Sequence, residues 1–444
     1  MRVLALDVGS SSVRVRGFAE DGTELEGVGA QRQYDEADPE RLVEAVRETV
    51  EQGRGSEHWG AAGTCAFWHS LLAVDARGRP ISPLLTWGDL RSTAQAAELA
   101  RRLDPDEVHA RTGCFLHPSF WPAKLAWLRA EQPDVFRSAM RFVSFSDFLY
   151  DRLVGATHTS LSMASGTGLL DLGTGTWDDE LLEALELTPD RLPEVSDEPA
   201  GAEEPWFPAL GDGACSNVGA GCTTPERAAL MVGTSGAFRT IREAEGVTPR
   251  PGLFCYRLDE RRVVEGGSLS DGGNLFAWLG GTLAGGSAEE VADRPPVAHG
   301  LTFLPLLGGE RSPGWRPEAR GAISGLTFAT TPRDLVQAAL EGIAYRFAEV
   351  ADLMPEVREV VATGHALLED PDWIQILADV LERPVTASAV AEGSAYGAAI
   401  MALTRLGAKP PPSPLGRVFE PRADRAEAHR AARERQRALY EMLA

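Results

Sequence analysis

The feature that most constrains this chain is a strand–turn–strand unit that occurs twice, about half a chain apart. Val3–Leu6 reads as a short apolar strand, Gly9-Ser10-Ser11-Ser12 as a small polar turn, and Val13–Val15 as resumed alternation, which together predict a β-hairpin. The stretch AALMV from Ala228, the turn Gly233-Thr234-Ser235-Gly236 and AFRTI ending at Ile241 repeat that pattern. Two such units imply a duplicated architecture. Helical periodicity is expected over Asp38–Glu51, Ser92–Leu103 and Asp334–Met354, and Trp373, Ile376, Leu377 and Val380 make one more apolar helix face. Lys409–Pro414 reads as a Pro-rich connector to a charged amphipathic helix from about Asp424, and Asp197–Gly211 as a loop or the approach to a boundary. Strands alternating with helices predict an α/β fold with mixed sheets. A chain of 444 residues exceeds one core, so two domains of roughly 200 residues each are expected.

Composition narrows the function by exclusion. The 65 acidic residues outnumber the 43 basic ones, giving a formal charge of −22. That balance opposes nucleic acid, which needs a basic face, and disfavours anionic membranes. An anionic substrate would need a locally basic pocket. Cys65, Cys114, Cys215, Cys222 and Cys255 are scattered without a CxxC pair, so reduced thiols and a cytoplasmic location are expected. The N-terminal MRVLALDVGSSS lacks the features of a secretion signal.

Phosphoryl transfer needs backbone N–H donors for phosphates, a carboxylate-held Mg²⁺ and a group that orients the attacking hydroxyl. The chain has neither GxxxxGK[ST] nor GxGxxG, and its two hairpin turns offer a different cradle. Small residues at Gly9, Ser10, Ser11, Ser12 and at Gly233, Thr234, Ser235, Gly236 let backbone amides approach phosphate oxygens. Asp7 at the lip of the first turn suits a metal or metal-water ligand, and Arg14 suits developing negative charge.

LALDVGSSSVRV and ALMVGTSGAFR resemble the first and second phosphate motifs of the actin-like ATPase superfamily. More narrowly, the chain resembles the FGGY carbohydrate kinases. GAISGLTFATTPRDLVQAALE (Gly321–Glu341) fits that family's C-terminal signature. The likeness continues through GDGACSNVGAGC, FLPLLGGERSPGW, EVVATGHALLEDPDWIQILADVLERPV and EGSAYGAA. The resemblance implies two actin-like (ribonuclease H-like) domains with a catalytic interdomain cleft, divided as residues 1–222, which bind sugar, and 223–444, which bind nucleotide. It also implies ATP and Mg²⁺ as cofactors and Asp212 of the GD motif as catalytic base and metal ligand. Asp212 lies between Gly211 and Gly213, where an open carboxylate is expected.

The family's TGG motif at the adenosine site reads Thr363-Gly364-His365 here, so Gly364 and His365 are nucleotide-site candidates and His365 is a departure. Leu279–Pro296 is a Gly-rich stretch that stands in for a longer insertion of the family.

For the substrate, Trp68-His69-Ser70, Asp89, Arg91 and Lys124 are the candidates, in two segments flanking a turn at Ala76–Arg79 and in a third around His117. Aromatic platforms with His, Asp, Arg and Lys suit a sugar. His69, Arg91 and Lys124 would face the carboxylate of a sugar acid, and Arg91 has the fork to grip it. Trp87 and Trp127 are read as packing. These segments are similar to the gluconokinase branch, which implies D-gluconate phosphorylated to 6-phosphogluconate. A xylulokinase or other ketopentose or polyol kinase stays open, as does a catalytically weak sugar- or nucleotide-binding regulator; an actin- or chaperone-type ATPase ranks last. The implied partner is a small-molecule sugar or sugar acid, with no nucleic acid and no membrane; a homodimer is allowed.

Overall fold

The computed structural model describes residues 1–34, 38–55, 58–201, 203–282, 291 and 293–443. Half of the Leu279–Pro296 stretch, residues 283–290 and 292, lies outside the described residues.

The first hairpin forms as its pattern predicts. Strand β1 (Arg2–Val8) pairs antiparallel with β2 (Ser12–Ala19), with Val8 opposite Val13. β3 (Glu24–Gln33), β4 (Ala61–Ala66) and the short β5 (Leu210–Gly211) complete a sheet of order β3-β2-β1-β4-β5. β1 and β4 are buried almost throughout, as strands covered on both faces must be.

The second half repeats this plan. β6 (Arg227–Val232) and β7 (Gly236–Glu243) are the second hairpin, with Val232 opposite Gly236. With β8 (Phe254–Arg257), β9 (Arg262–Leu269), β10 (Glu359–Thr363), β11 (Val385–Ser388) and β12 (Leu415–Phe419) they give the order β8-β9-β7-β6-β10-β11-β12. In each half an antiparallel three-strand meander (β1–β3; β6, β7, β9) is followed by parallel strands beside the first one, β4 on β1 and β10 on β6. The duplication is therefore topological. The edge strand β12 was hidden in the sequence behind the Pro-rich connector, because its residues are mostly exposed and lack alternation.

The expected helices are present, and side-chain caps explain where the first and the longest of them start. Asp38 accepts from the N–H groups of Glu40 and Arg41 ahead of Pro39–Arg54. Thr331 and Asp334 form a capping box, with Pro332 in the first turn, at the head of Pro332–Asp352. Thr93–Arg102, Pro371–Leu381 and Ala426–Leu443 are the remaining predicted helices.

One element qualifies the division at residue 222. The helix Gly393–Arg405 lies in sequence between strands β11 and β12 of the second sheet but packs on the first, its Ala395, Ala399, Ala402 and Leu403 meeting Val3, Ala5 and Ala61. It crosses the helix Asp212–Gly219 at backbone distance: a Cβ on Gly397 would lie 1.8 Å from the carbonyl oxygen of Cys215. The small residues of EGSAYGAA are the reason this crossing is possible. All five cysteines are buried and unpaired. Among the described residues no helix is long and apolar enough to cross a membrane.

Candidate active site

The two hairpin turns and the head of the Asp212–Gly219 helix converge on a cleft that contains two cavities. An aromatic cavity of about 190 Å³ is lined by Ser10, Trp68, His69, Trp87, Tyr256 and Arg311, among others, and by the second turn from Thr234 to Ala237. A carboxylate cavity of about 170 Å³ is lined by Asp7, Arg14, Thr363, Gly364, His365 and Glu392, with the Val390–Ser394 segment. Asp212, Met231 and Arg239 line both. They stand where the two spaces meet.

Asp212 begins its helix, and Oδ1 accepts the N–H of Gly213 at 2.8 Å. It is half-buried rather than open, because the flanking glycines do a different job from the one their flexibility suggests. A Cβ on Gly211 would lie 1.7 Å from the Trp68 ring, and one on Gly213 would lie 2.5 Å from Arg239 Nη1. The glycines admit an indole and a guanidinium against the backbone beside the carboxylate. Burial raises Asp212 to about 6 despite the opposing charge of Arg239, and the charge of Asp7 adds to the rise.

Asp7 is buried at the end of β1, where the register sets it opposite Arg14. Arg14 Nη1 donates to Asp7 Oδ2 at 3.1 Å, and its Nε lies 3.1 Å from Glu392 Oε2. The Cys65 thiol donates to Asp7 Oδ1 at 3.3 Å. Burial nonetheless raises the Asp7 pKa. Asp7 and Asp212 are thus two carboxylates in one cavity whose ionisation burial opposes, a situation that a divalent cation relieves. No cluster of three or more metal-binding side chains occurs among the described residues. A pair of carboxylates suits Mg²⁺, which keeps water and phosphate oxygens for its other positions.

The turns differ in how they are held. Tyr34 hydroxyl donates to the carbonyls of Gly9 and Ser12, and its own N–H donates to the Ser11 carbonyl at 2.9 Å. Ser10 alone of the first turn's four residues lines a cavity, the aromatic one. In the second turn the N–H groups of Gly273 and Asn274 donate to the carbonyls of Gly233 (2.8 Å) and Thr234 (3.0 Å).

His69 has φ of 68°, a left-handed conformation that bulky residues rarely adopt. Its Nδ1 lies 2.5 Å from the carbonyl oxygen of Gly166, which can only accept, so Nδ1 carries the proton. Burial depresses its pKa to about 3, with Lys124 and Arg311 adding repulsion. A neutral ring protonated on Nδ1 presents Nε2 as an acceptor, suited to a hydroxyl donor. Lys124 does not line the cavity, contrary to expectation. Its Nζ donates to the carbonyls of His69 (2.5 Å) and Ser119 (2.8 Å), and burial lowers it to about 7. It is a prop under His69.

Arg91 also departs from its expected role. It is exposed, pairs through Nε with Asp89 at 2.8 Å and lies 5.0 Å over the Trp127 ring. Neither Asp89 nor Arg91 lines either cavity of the cleft, and Ser70 Oγ is buried while accepting the N–H of Phe145 at 3.0 Å. The cations that do face the aromatic cavity are Arg239 and Arg311, which sequence reasoning did not single out. Burial lowers each to about 10. Arg311 lies 4.8 Å over the Trp87 ring, so Trp87 lines the cavity as well as packing, while Trp127 packs as read. Arg311 belongs to FLPLLGGERSPGW, and Arg239 lies one alternation beyond the second turn; period-2 alternation from Ala237 was the available signal for the latter.

Gly364 has φ of +88°, and a Cβ there would lie 2.4 Å from the Val232 carbonyl oxygen, so this position requires glycine. His365 is 85% exposed in its side chain and sits 3.2 Å from Glu369. Its side chain is thus largely in solvent at the edge of the carboxylate cavity.

Two such sheets with a shared cleft make an actin-like architecture, and sequence comparison narrows it to the carbohydrate kinases. Residues 2–203 match the N-terminal domain model of the FGGY family of carbohydrate kinases and residues 228–406 match its C-terminal domain model. The chain belongs to the FGGY family of carbohydrate kinases. It is 28% identical to a gluconokinase of Bacillus subtilis (strain 168), covering 91% of this chain and 88% of that one. It is 29% identical to a xylulose kinase of Escherichia coli (strain K12), covering 99% of both. The crystal structure of gluconate kinase from Lactobacillus acidophilus superposes with a TM-score of 0.89 at 25% identity, covering 100% of this chain and 98% of that one.

Proposed function

We propose that this carbohydrate kinase transfers the γ-phosphoryl group of ATP to a hydroxyl of a sugar acid, with D-gluconate giving 6-phosphogluconate as the preferred reaction. The observation that carries the kinase reading is Asp212 at the junction of the two cavities. The aromatic cavity would take the sugar and the carboxylate cavity the nucleotide. Asp212 would accept the hydroxyl proton. The second turn, from Gly233 to Gly236, would wrap the phosphates from one side and Ser10 would meet them from the other. Asp7 and Asp212 would hold Mg²⁺, which supplies charge neutralisation for the phosphates. Closure of the cleft about the crossing helices would exclude water.

Specificity for an acid rests on the cationic side of the aromatic cavity. A carboxylate brought into a protein of charge −22 needs a local cation. Arg311 takes the place Arg91 was expected to fill. Its guanidinium is backed by Trp87, and its Nε is buried without a hydrogen-bond partner among the described residues. The sugar would therefore contact both halves of the chain. An ADP-release assay with gluconate, xylulose, ribulose, glycerol and glycerate in parallel tests the reading, and gluconate should give the highest kcat/KM. Turnover of xylulose without turnover of gluconate would replace the substrate and leave the kinase standing.

A further inference from the structure

Arg239 is 5% exposed, yet its Nη2 has no hydrogen-bond partner among the described residues. A buried guanidinium N–H left unpaired is costly, and in a cavity wall it marks the place of an anion. The rest of the side chain is fixed. Nε donates to Asn217 Oδ1 at 3.1 Å, and Asn217 Nδ2 donates back to the Arg239 carbonyl at 2.9 Å. The guanidinium lies over Gly213, against the first turn of the helix Asp212–Gly219, whose N–H groups already favour negative charge. A cation placed against the positive end of a helix, beside the junction of two cavities, is arranged for an anion that passes between them.

The other two arginines of the cleft are placed differently. Arg14 is engaged by Asp7 and Glu392. Of the two cavities of the cleft, Arg311 lines the aromatic one and not the carboxylate one. Arg239 lines both cavities together with Asp212.

We propose that Arg239 is a catalytic residue whose Nη2 binds the phosphoryl group in transit from ATP to the substrate hydroxyl. This rests on the kinase reading given above. In the step, a hydroxyl lone pair forms the new P–O bond and the hydroxyl proton goes to Asp212. The electron pair of the broken P–O bond stays on the terminal oxygen of ADP. Arg239 changes no bond; it donates to a phosphoryl oxygen from the side of Asp212, where repulsion between the carboxylate and the incoming phosphoryl group would otherwise be greatest.

The test compares the unmodified protein with Arg239→Met and Arg239→Lys, all confirmed as folded by thermal melting. Binding of MgADP is measured by calorimetry in the presence of gluconate, with and without tetrafluoroaluminate, a flat anionic stand-in for the phosphoryl group. MgADP affinity without fluoroaluminate should change by no more than about twofold. The gain conferred by fluoroaluminate should fall by about 10²-fold or more in Arg239→Met, with kcat falling about 10²–10³-fold and the gluconate KM changing little, the scale for losing one preorganised donor. Arg239→Lys should recover part of both losses. A rise in gluconate KM with kcat and the fluoroaluminate gain intact would overturn the proposal and make Arg239 a ligand of the substrate carboxylate. Unchanged kinetics would overturn it as well. An unmodified protein that turns over no sugar and gains nothing from fluoroaluminate would remove the kinase reading itself, a result visible before any variant is made.

Discussion

The two hairpins share a topology and a turn composition, but they bring opposite kinds of side chain to the cleft. In the first, Asp7 faces Arg14 across the ladder, so a carboxylate and a cation neutralise each other at the lip of the turn. At the corresponding place in the second, Met231 faces Ala237, and the charge appears one alternation further on, at Arg239. The second loop is also shorter, since Val232 pairs with Gly236 whereas Val8 pairs with Val13. Duplication copied the backbone and left the chemistry free to diverge. On the function proposed above, one hairpin would hold a metal and the other would hold phosphate beside a cation.

The largest effect expected of any change in the cleft is at Asp212, one of the three residues both cavities share. Asp212→Asn should lower kcat by about 10²–10⁴-fold, the range that a general base supplies. The same variant should be more stable than the unmodified protein at neutral pH. Its carboxyl is raised from 3.8 to about 6, so the folded state holds a proton that the unfolded state releases between those values. Stability from that proton is full below pH 4 and lost as pH rises through 6. Removing the charge should therefore gain about 1–3 kcal/mol above pH 6, and nothing below pH 4, in melts across pH. A variant with near-normal kcat would take Asp212 out of the role of base.

Next in size is the contrast between the arginine that faces the aromatic cavity and the one that does not. Arg311→Met should reduce kcat/KM for gluconate by about 2–5 kcal/mol, the scale for leaving one partner of a buried charge pair alone. A neutral polyol of similar length should lose much less. Equal losses on both substrates would make Arg311 structural.

The turns themselves come third. A Cβ on Gly233 meets only Met231 Sδ at 3.7 Å, so Gly233→Val should fold. It should raise the KM for ATP about tenfold by holding phosphate oxygens off the backbone amides, with sugar affinity retained. Unchanged ATP kinetics in the folded variant would reduce this turn to a plain hairpin.

The smallest effect belongs to Arg91→Met. Its ion pair with Asp89 is exposed, and kcat/KM for gluconate should move by no more than about 0.5 kcal/mol. A loss as large as that of Arg311→Met would show that the cleft rearranges around substrate to enlist it.

Much of the site was written in contiguous residues. The two turns, Asp7, Asp212 and Gly364 are recognisable because each depends on its immediate neighbours: a strand that ends, a glycine that admits backbone, a carboxylate at a helix head. His69 was also legible, though not its left-handed backbone or the proton on Nδ1, which Gly166 decides from far along the chain. The helix Gly393–Arg405 could be read as a helix rich in small residues, but not as a cover for the first sheet. By itself, then, the sequence determined a duplicated α/β chain, its family and the carboxylates of its cleft, since periodicity and turn chemistry are local properties. Only the tertiary structure decided which cations face the aromatic cavity. Arg91 and Lys124 sit in the segments that look like a sugar site, yet one is drawn to Asp89 and the other to two backbone carbonyls. Arg239 and Arg311 reach the cavity because strand β7 and the loop after the strand Thr302–Leu304 bring them there. A long charged side chain settles wherever the packed surroundings leave a partner, and those surroundings come from segments distant in sequence.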